Sequence, residues 1–289
     1  MQFRRALAVG ACLTCTATPS PARVIRYKLT VPAASEREVC EYLEVRGARA
    51  DETLAGWTLH VHASTREATS HHAFLFDATG HPPLALGPHE GTVSACSTAP
   101  LPLLIAAYAP HVRLALPPGI RLPWHPLQAL VLDLHVVNGG RRRARFTLRV
   151  ALRLTRAAPG DRLAQTWGFL GAQIAIPPFT QGPAVVTATF PALALLTLNG
   201  HMHSRGLELV VTRDGAPWYR ELDWQHPSVM RFDPPLDVTG QTVTVTCLYD
   251  NGVTRPVRQC AGVPCTLVFG LLADDAMCGI AGYAIPLDR

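Results

Sequence analysis

The sequence holds twelve histidines, and several are spaced as metal ligands would be. His201 and His203 flank Met202 directly after the apolar run Leu195-Leu196-Thr197-Leu198. Alternate residues of a strand face the same side, so this pair can offer two imidazoles to one ion. His71 and His72 are adjacent and precede Ala73-Phe74-Leu75-Phe76, while His135 ends the apolar run Leu130-Val131-Leu132-Asp133-Leu134. Met277 sits in Asp274-Asp275-Ala276-Met277-Cys278. On its own it reads as core filling. Beside His201 and His203 it offers a thioether, a soft donor that favours cuprous copper and serves zinc or magnesium poorly. His60 and His62 repeat the alternate spacing without an identifiable third ligand and read as a solvent face. His81, His89, His111, His125 and His226 lie near prolines or turns and read as exposed. There is no Gly-x-Ser-x-Gly nucleophile elbow and no glycine-rich phosphate loop.

Strands would have to position these side chains. Val24–Val31 and Trp57–His62 alternate as half-buried strands do, and Ala129–Val137, Arg145–Leu154, Ala184–Phe190, Leu193–Leu198, Leu207–Arg213 and Thr242–Tyr249 follow the same style. Turn signals separate them, among them Asn138-Gly139-Gly140, Arg213-Asp214-Gly215 and Asp250-Asn251-Gly252. With 25 prolines, 22 glycines and no long helical period, the chain predicts an all-β fold of two jelly-roll-like β-sandwich domains. The stretch Ala157–Asp161 marks the boundary, giving domains 24–157 and 158–289.

Apolar residues make up 48% of the 289 and charged residues 16%, which supplies real cores and excludes a disordered chain. No uncharged apolar run reaches the ~18 residues of a membrane-spanning helix. The formal charge of +5 is modest and arginine-based, with Lys28 the single lysine. Apart from Arg141–Arg145 the arginines are scattered, so no nucleic-acid partner is indicated. Residues 1–22 read as a secretory signal peptide: basic Arg4-Arg5, an apolar stretch to Cys15 and a small-residue exit near Ala22. An alternative uses Val9-Gly10-Ala11-Cys12 as a lipoprotein site with a lipid anchor on Cys12. Either reading exports the chain to the periplasm or the extracellular space, where disulfides form. Beyond the leader six cysteines remain, Cys40, Cys96, Cys247, Cys260, Cys265 and Cys278. They read as structural staples, and 15 pairings are open from sequence alone.

Over residues 24–289 the chain resembles the type II, ascorbate-dependent copper monooxygenases, a family that includes peptidylglycine α-hydroxylating monooxygenase and dopamine β-monooxygenase. Ser70-His71-His72-Ala73-Phe74-Leu75-Phe76 resembles the family's His-His-Met-Leu-Leu-Phe segment, and Leu116-Pro117-Pro118-Gly119-Ile120 its Leu-Pro-x-Gly. Leu132-Asp133-Leu134-His135 resembles its Leu-Gln-x-His strand. Gly200-His201-Met202-His203-Ser204-Arg205-Gly206 resembles its His-Thr-His and following glycine, and Cys247-Leu248-Tyr249-Asp250 and Asp275-Ala276-Met277-Cys278 complete the order.

The resemblance implies a dicopper enzyme that hydroxylates an aliphatic C–H bond with O₂ and ascorbate or another one-electron reductant. Its partners would be a small-molecule substrate and O₂. His71, His72 and His135 would hold an electron-storing copper, and His201, His203 and Met277 the catalytic one. Cys247 would pair with Cys278 and Cys40 with Cys96, while a Cys260–Cys265 bridge is an inference outside the family pattern. Asp133, where the family has Gln, is a candidate hydrogen-bond partner for the first site. Asn199 and Ala281 replace the family's peptide-gripping Arg and Tyr, so peptide-glycine hydroxylation is not implied. The alternative reading is a non-catalytic copper-binding or interaction protein on the same scaffold.

Overall fold

A computed structural model describes residues 23–80, 88–89 and 101–288. The signal peptide and the Cys12 anchor, as well as Cys96, lie outside the described residues. Within them the chain is all β, as expected, and its long strands form two β-sandwiches.

In the first half, one sheet has the order Arg23–Val31, Ala144–Arg156, Glu52–Ala63, His111–Ala115. It faces a sheet ordered Pro88–His89, Ser35–Arg46, Leu127–Asn138, Ala68–Asp77, Leu103–Ala107. Ala144–Arg156 shows why it pairs so extensively: its residues alternate between buried and exposed, so one whole face goes into the core. Leu127–Asn138 is instead buried on both faces over most of its length, as a central strand must be.

In the second half, a sheet of Gln165–Gly171, Cys278–Pro286, Leu193–Met202 and Val229–Asp237 packs on one of Thr180–Thr189, Thr242–Asn251, Gly206–Arg213 and Ala216–Glu221. The turn predicted at Arg213-Asp214-Gly215 is a two-residue hairpin. Arg213 pairs with Ala216, and Asp214 and Gly215 both take positive φ, 49° and 82°. That geometry matches the twist of the flanking strands, and glycine accepts it without strain.

Strands with clean alternation were legible in sequence; charged or irregular ones were not. Ser35–Arg46 carries Glu36, Arg37, Glu38, Glu41, Glu44 and Arg46, and those charges mask its pairing along all twelve residues with Leu127–Asn138.

One core is built from residues between Ile25 and Ala164 together with Leu196, Tyr283 and Ile285. A second comes from residues between Trp167 and Ala284. Tyr283 ties the halves, its hydroxyl accepting from the Ala106 amide at 3.0 Å and donating to the Leu104 carbonyl at 3.3 Å. Cys247–Cys278 and Cys260–Cys265 are disulfides. Cys40 is also disulfide-bonded, its expected partner lying outside the described residues.

Candidate metal centre

Perfect alternation would send His71 and His72 to opposite faces of their strand. The register against Leu127–Asn138 shifts between Ser70 and His72, and this bulge lets both rings turn into one site. On the neighbouring strand His135 lies directly opposite His72. His201 closes the Leu193–Met202 strand of the other sandwich, with His203 just beyond its end.

The five rings form one cluster. The His71 centroid lies 5.4 Å from His72, 5.3 Å from His135, 5.1 Å from His201 and 4.7 Å from His203. His201 and His203 are 5.3 Å apart, and His72 and His135 5.1 Å. Two triads have donor atoms mutually within 4.8 Å: His71, His72 and His135, and His71, His201 and His203. The two sites expected in separate domains therefore meet, and His71 belongs to both. Met277 is buried, and its carbonyl accepts from the Tyr249 hydroxyl. Met202 pairs with Cys278, so Met277 directly precedes the strand that lies beside the one carrying His201.

All five rings are buried, yet most of their nitrogens lack partners. Neither nitrogen of His71 or His203 makes a hydrogen bond, nor does Nδ1 of His72 or His135. His203 lies beside the Leu272 backbone without forming a sound hydrogen bond to it. Leaving a buried polar atom unpaired costs about 1–3 kcal/mol, so such a concentration calls for water or an ion among the rings.

The Nε2 atoms of His72 and His135 are held by acids. Glu36 binds His135 Nε2 and also accepts the Ala273 amide at 2.8 Å, linking the first sandwich to the loop before Met277. Asp133 Oδ1 lies 3.4 Å from His72 Nε2, and Glu38 Oε1 4.0 Å. A carboxylate only accepts, so His135 carries its hydrogen on Nε2 and presents the Nδ1 lone pair to the cluster. Burial opposes the Glu36 charge, but His135 and the Ala273 amide outweigh it and hold the carboxyl below its ordinary range.

Asp133 is the acid that sequence reading had singled out; Glu36 and Glu38 were missed. Their signal is two alternate acids on a strand whose partner carries Asp133 and His135, and it becomes readable only with the register known. Aromatic rings close the site: Tyr108 lies 4.9 Å from His201, Trp224 5.5 Å from His71, and Phe74 stacks on His72 at 4.3 Å. His60, His62, His111, His125 and His226 are exposed and outside the cluster.

Burial pushes His71, His72 and His203 well below the usual imidazole range and His201 down to about 3, with neighbouring imidazoles adding to the effect. The rings are neutral at physiological pH, as metal binding requires. The unfolded chain protonates them below about pH 6.5 while the folded chain resists, so metal-free stability falls as pH drops through that value. Each ring contributes up to about 1.4 kcal/mol per pH unit. The Glu38 and Asp133 carboxyls, raised mainly by burial, act in the opposite sense. Four rings outnumber two carboxyls, so denaturation in chelator should shift to lower urea from pH 7 to pH 5. A midpoint constant or rising over that interval would contradict neutral buried rings.

No family model matches the chain, and no curated protein matches it. Solved structures that match include the major capsid protein P2 from bacteriophage PM2, 7% identical, covering 92% of this chain and 99% of that one with a TM-score of 0.35. The STIV MCP is 11% identical, covering 78% and 96%, with a TM-score of 0.28. PBCV-1 VP54, fitted into a reconstruction of the virophage Sputnik, is 8% identical, covering 93% and 96%, with a TM-score of 0.30. Likenesses this distant assign no function to this chain. The copper monooxygenase assignment is nevertheless corrected: no model or curated member of that family matches, and the structures named are viral capsid proteins. With it go the oxidoreductase activity and the small-molecule substrate and O₂ as partners. The physical reason is that His-x-His and Leu-Pro-x-Gly are short and fit any strand end or turn; their order carried an inference that no whole-chain likeness supports.

Proposed function

We propose that this chain is an exported metal-binding protein that holds copper between two β-sandwich domains, 24–157 and 158–289. The observation that carries the reading is the set of five buried imidazoles, drawn from both halves, in which both nitrogens of His71 and His203 and Nδ1 of His72 and His135 lack protein partners. Two imidazoles bound to one ion by bonds of about 2 Å at a tetrahedral angle place their centroids roughly 5 Å apart. The separations within His71, His201 and His203, 5.1, 4.7 and 5.3 Å, fit that requirement. His135 Nδ1 and the Met277 thioether are the further donors, and His72 completes the neighbouring triad. A neutral imidazole has one lone pair, so His71 serves one ion at a time and the cluster takes a single copper. Imidazoles suit both copper states, and a thioether biases the site toward Cu(I).

Anaerobic titration with Cu(I) against a calibrated chelator tests the proposal. One tightly held equivalent is expected, and no retention, or displacement by equimolar zinc, would remove it. The Met277→Leu variant separates the thioether from the imidazoles. Volume and apolarity are nearly kept, so stability should change by under about 1.5 kcal/mol. Cu(I) affinity should drop and Cu(II) affinity hold, and X-ray absorption of the reduced protein should lose a sulfur scatterer. Unchanged Cu(I) affinity would make Met277 core packing alone.

A further inference from the structure

The imidazole cluster leaves one group of buried donors unexplained. Glu38, Asp133 and His72 have donor atoms mutually within 4.8 Å and sit on adjacent strands of one sheet. All three are buried, Glu38 to 5% and Asp133 to 6% exposure. Glu38 Oε2 has no hydrogen-bond partner. Register fixes the arrangement. Glu38 and His72 both lie opposite His135, and Asp133 is two residues away on the same face. Alternation therefore brings both acids and the ring to the same side of the sheet. Two carboxylates so close and so buried repel each other and lose hydration, which only a shared proton or a cation relieves.

We infer that Glu38, Asp133 and His72 form a second cation site, oxygen-rich and distinct from the copper cluster, that takes a hard-to-borderline divalent ion of the Mn²⁺ type. Two carboxylates and one imidazole are a donor set that suits such ions and lacks the soft donor cuprous copper prefers. His72 supplies Nε2, the nitrogen that already faces Asp133 and Glu38. Copper keeps His71, His201, His203, His135 Nδ1 and the Met277 thioether, while His72 turns Nε2 to the acids, so the two ions share no donor atom. The inference goes beyond the copper reading and can stand if that reading falls.

The probe is Mn²⁺ added to the full-length chain, with free Mn²⁺ followed by its EPR signal. It is run on chain loaded anaerobically with EPR-silent Cu(I), on copper-free chain, and on His201→Ala. About one Mn²⁺ per chain is expected in all three, together with a rise in melting temperature. Glu38→Gln and Asp133→Asn keep shape while removing one charge. Each should weaken Mn²⁺ binding by roughly tenfold or more and abolish the thermal shift. Without metal both variants should melt close to wild type, because the neutral amide stands in for the proton that the pair shares. Wild-type chain that leaves Mn²⁺ free at millimolar concentration, or folded variants that bind it as wild type does, would overturn the site. Loss of copper binding alone would sink the copper reading and leave this site standing.

Discussion

Replacing His71 with leucine should abolish tight copper binding while leaving the metal-free fold as stable as before, or slightly more so. His71 is 1% exposed, neither ring nitrogen has a partner, and it is the one histidine common to both triads. Removing a hydrogen-bond partner of a metal ligand already lowers affinity about 10–100-fold, and losing the shared ligand should exceed that. Without metal the ring is a liability, since an unsatisfied buried polar group costs about 1–3 kcal/mol and leucine removes it at similar volume. The two effects have opposite signs, so loss of metal cannot be attributed to loss of fold. Chelator competition gives the first and urea denaturation in EDTA the second. Copper retention within threefold of wild type would exclude His71 as a ligand; a large loss of metal-free stability would show that its ring packs rather than waits for an ion.

Removing the Cys247–Cys278 bridge should be the most damaging change to the second sandwich. The bridge closes 31 residues and joins the Thr242–Asn251 strand of one sheet to the Cys278–Pro286 strand of the other. Chain entropy assigns a loop of that length about 3–4 kcal/mol. Both cysteines are buried, at 0% and 1% exposure, so Cys247→Ala with Cys278→Ala also leaves unfilled volume. For a half of this size the melting temperature should fall by about 10 °C. Cu(I) affinity should fall with it, because Met277 is next in sequence to Cys278 and would lose its anchor. A melting shift under about 2 °C would assign the bridge no structural weight.

The sequence by itself determined that the chain is all β, and it located His71, His72, His135, His201, His203 and Asp133. The reason is local: alternation, turn residues and donor types are properties of a few consecutive positions, and an alternating segment such as Ala144–Arg156 buries the face its pattern predicts. Other features depended on residues far apart in the chain. Whether His71 and His72 share a site depends on a bulge formed against Leu127–Asn138. The roles of Glu36 and Glu38 depend on which strand lies beside theirs, and from sequence their charges read as a solvated edge. Above all, sequence spacing sorted the histidines into two separate sites, because no local pattern records how one sandwich packs on another. Tertiary packing placed His201 and His203 against His71. Side-chain contacts between distant strands are set by the packing of whole sheets, so only the folded structure could decide that the donors form one buried cluster.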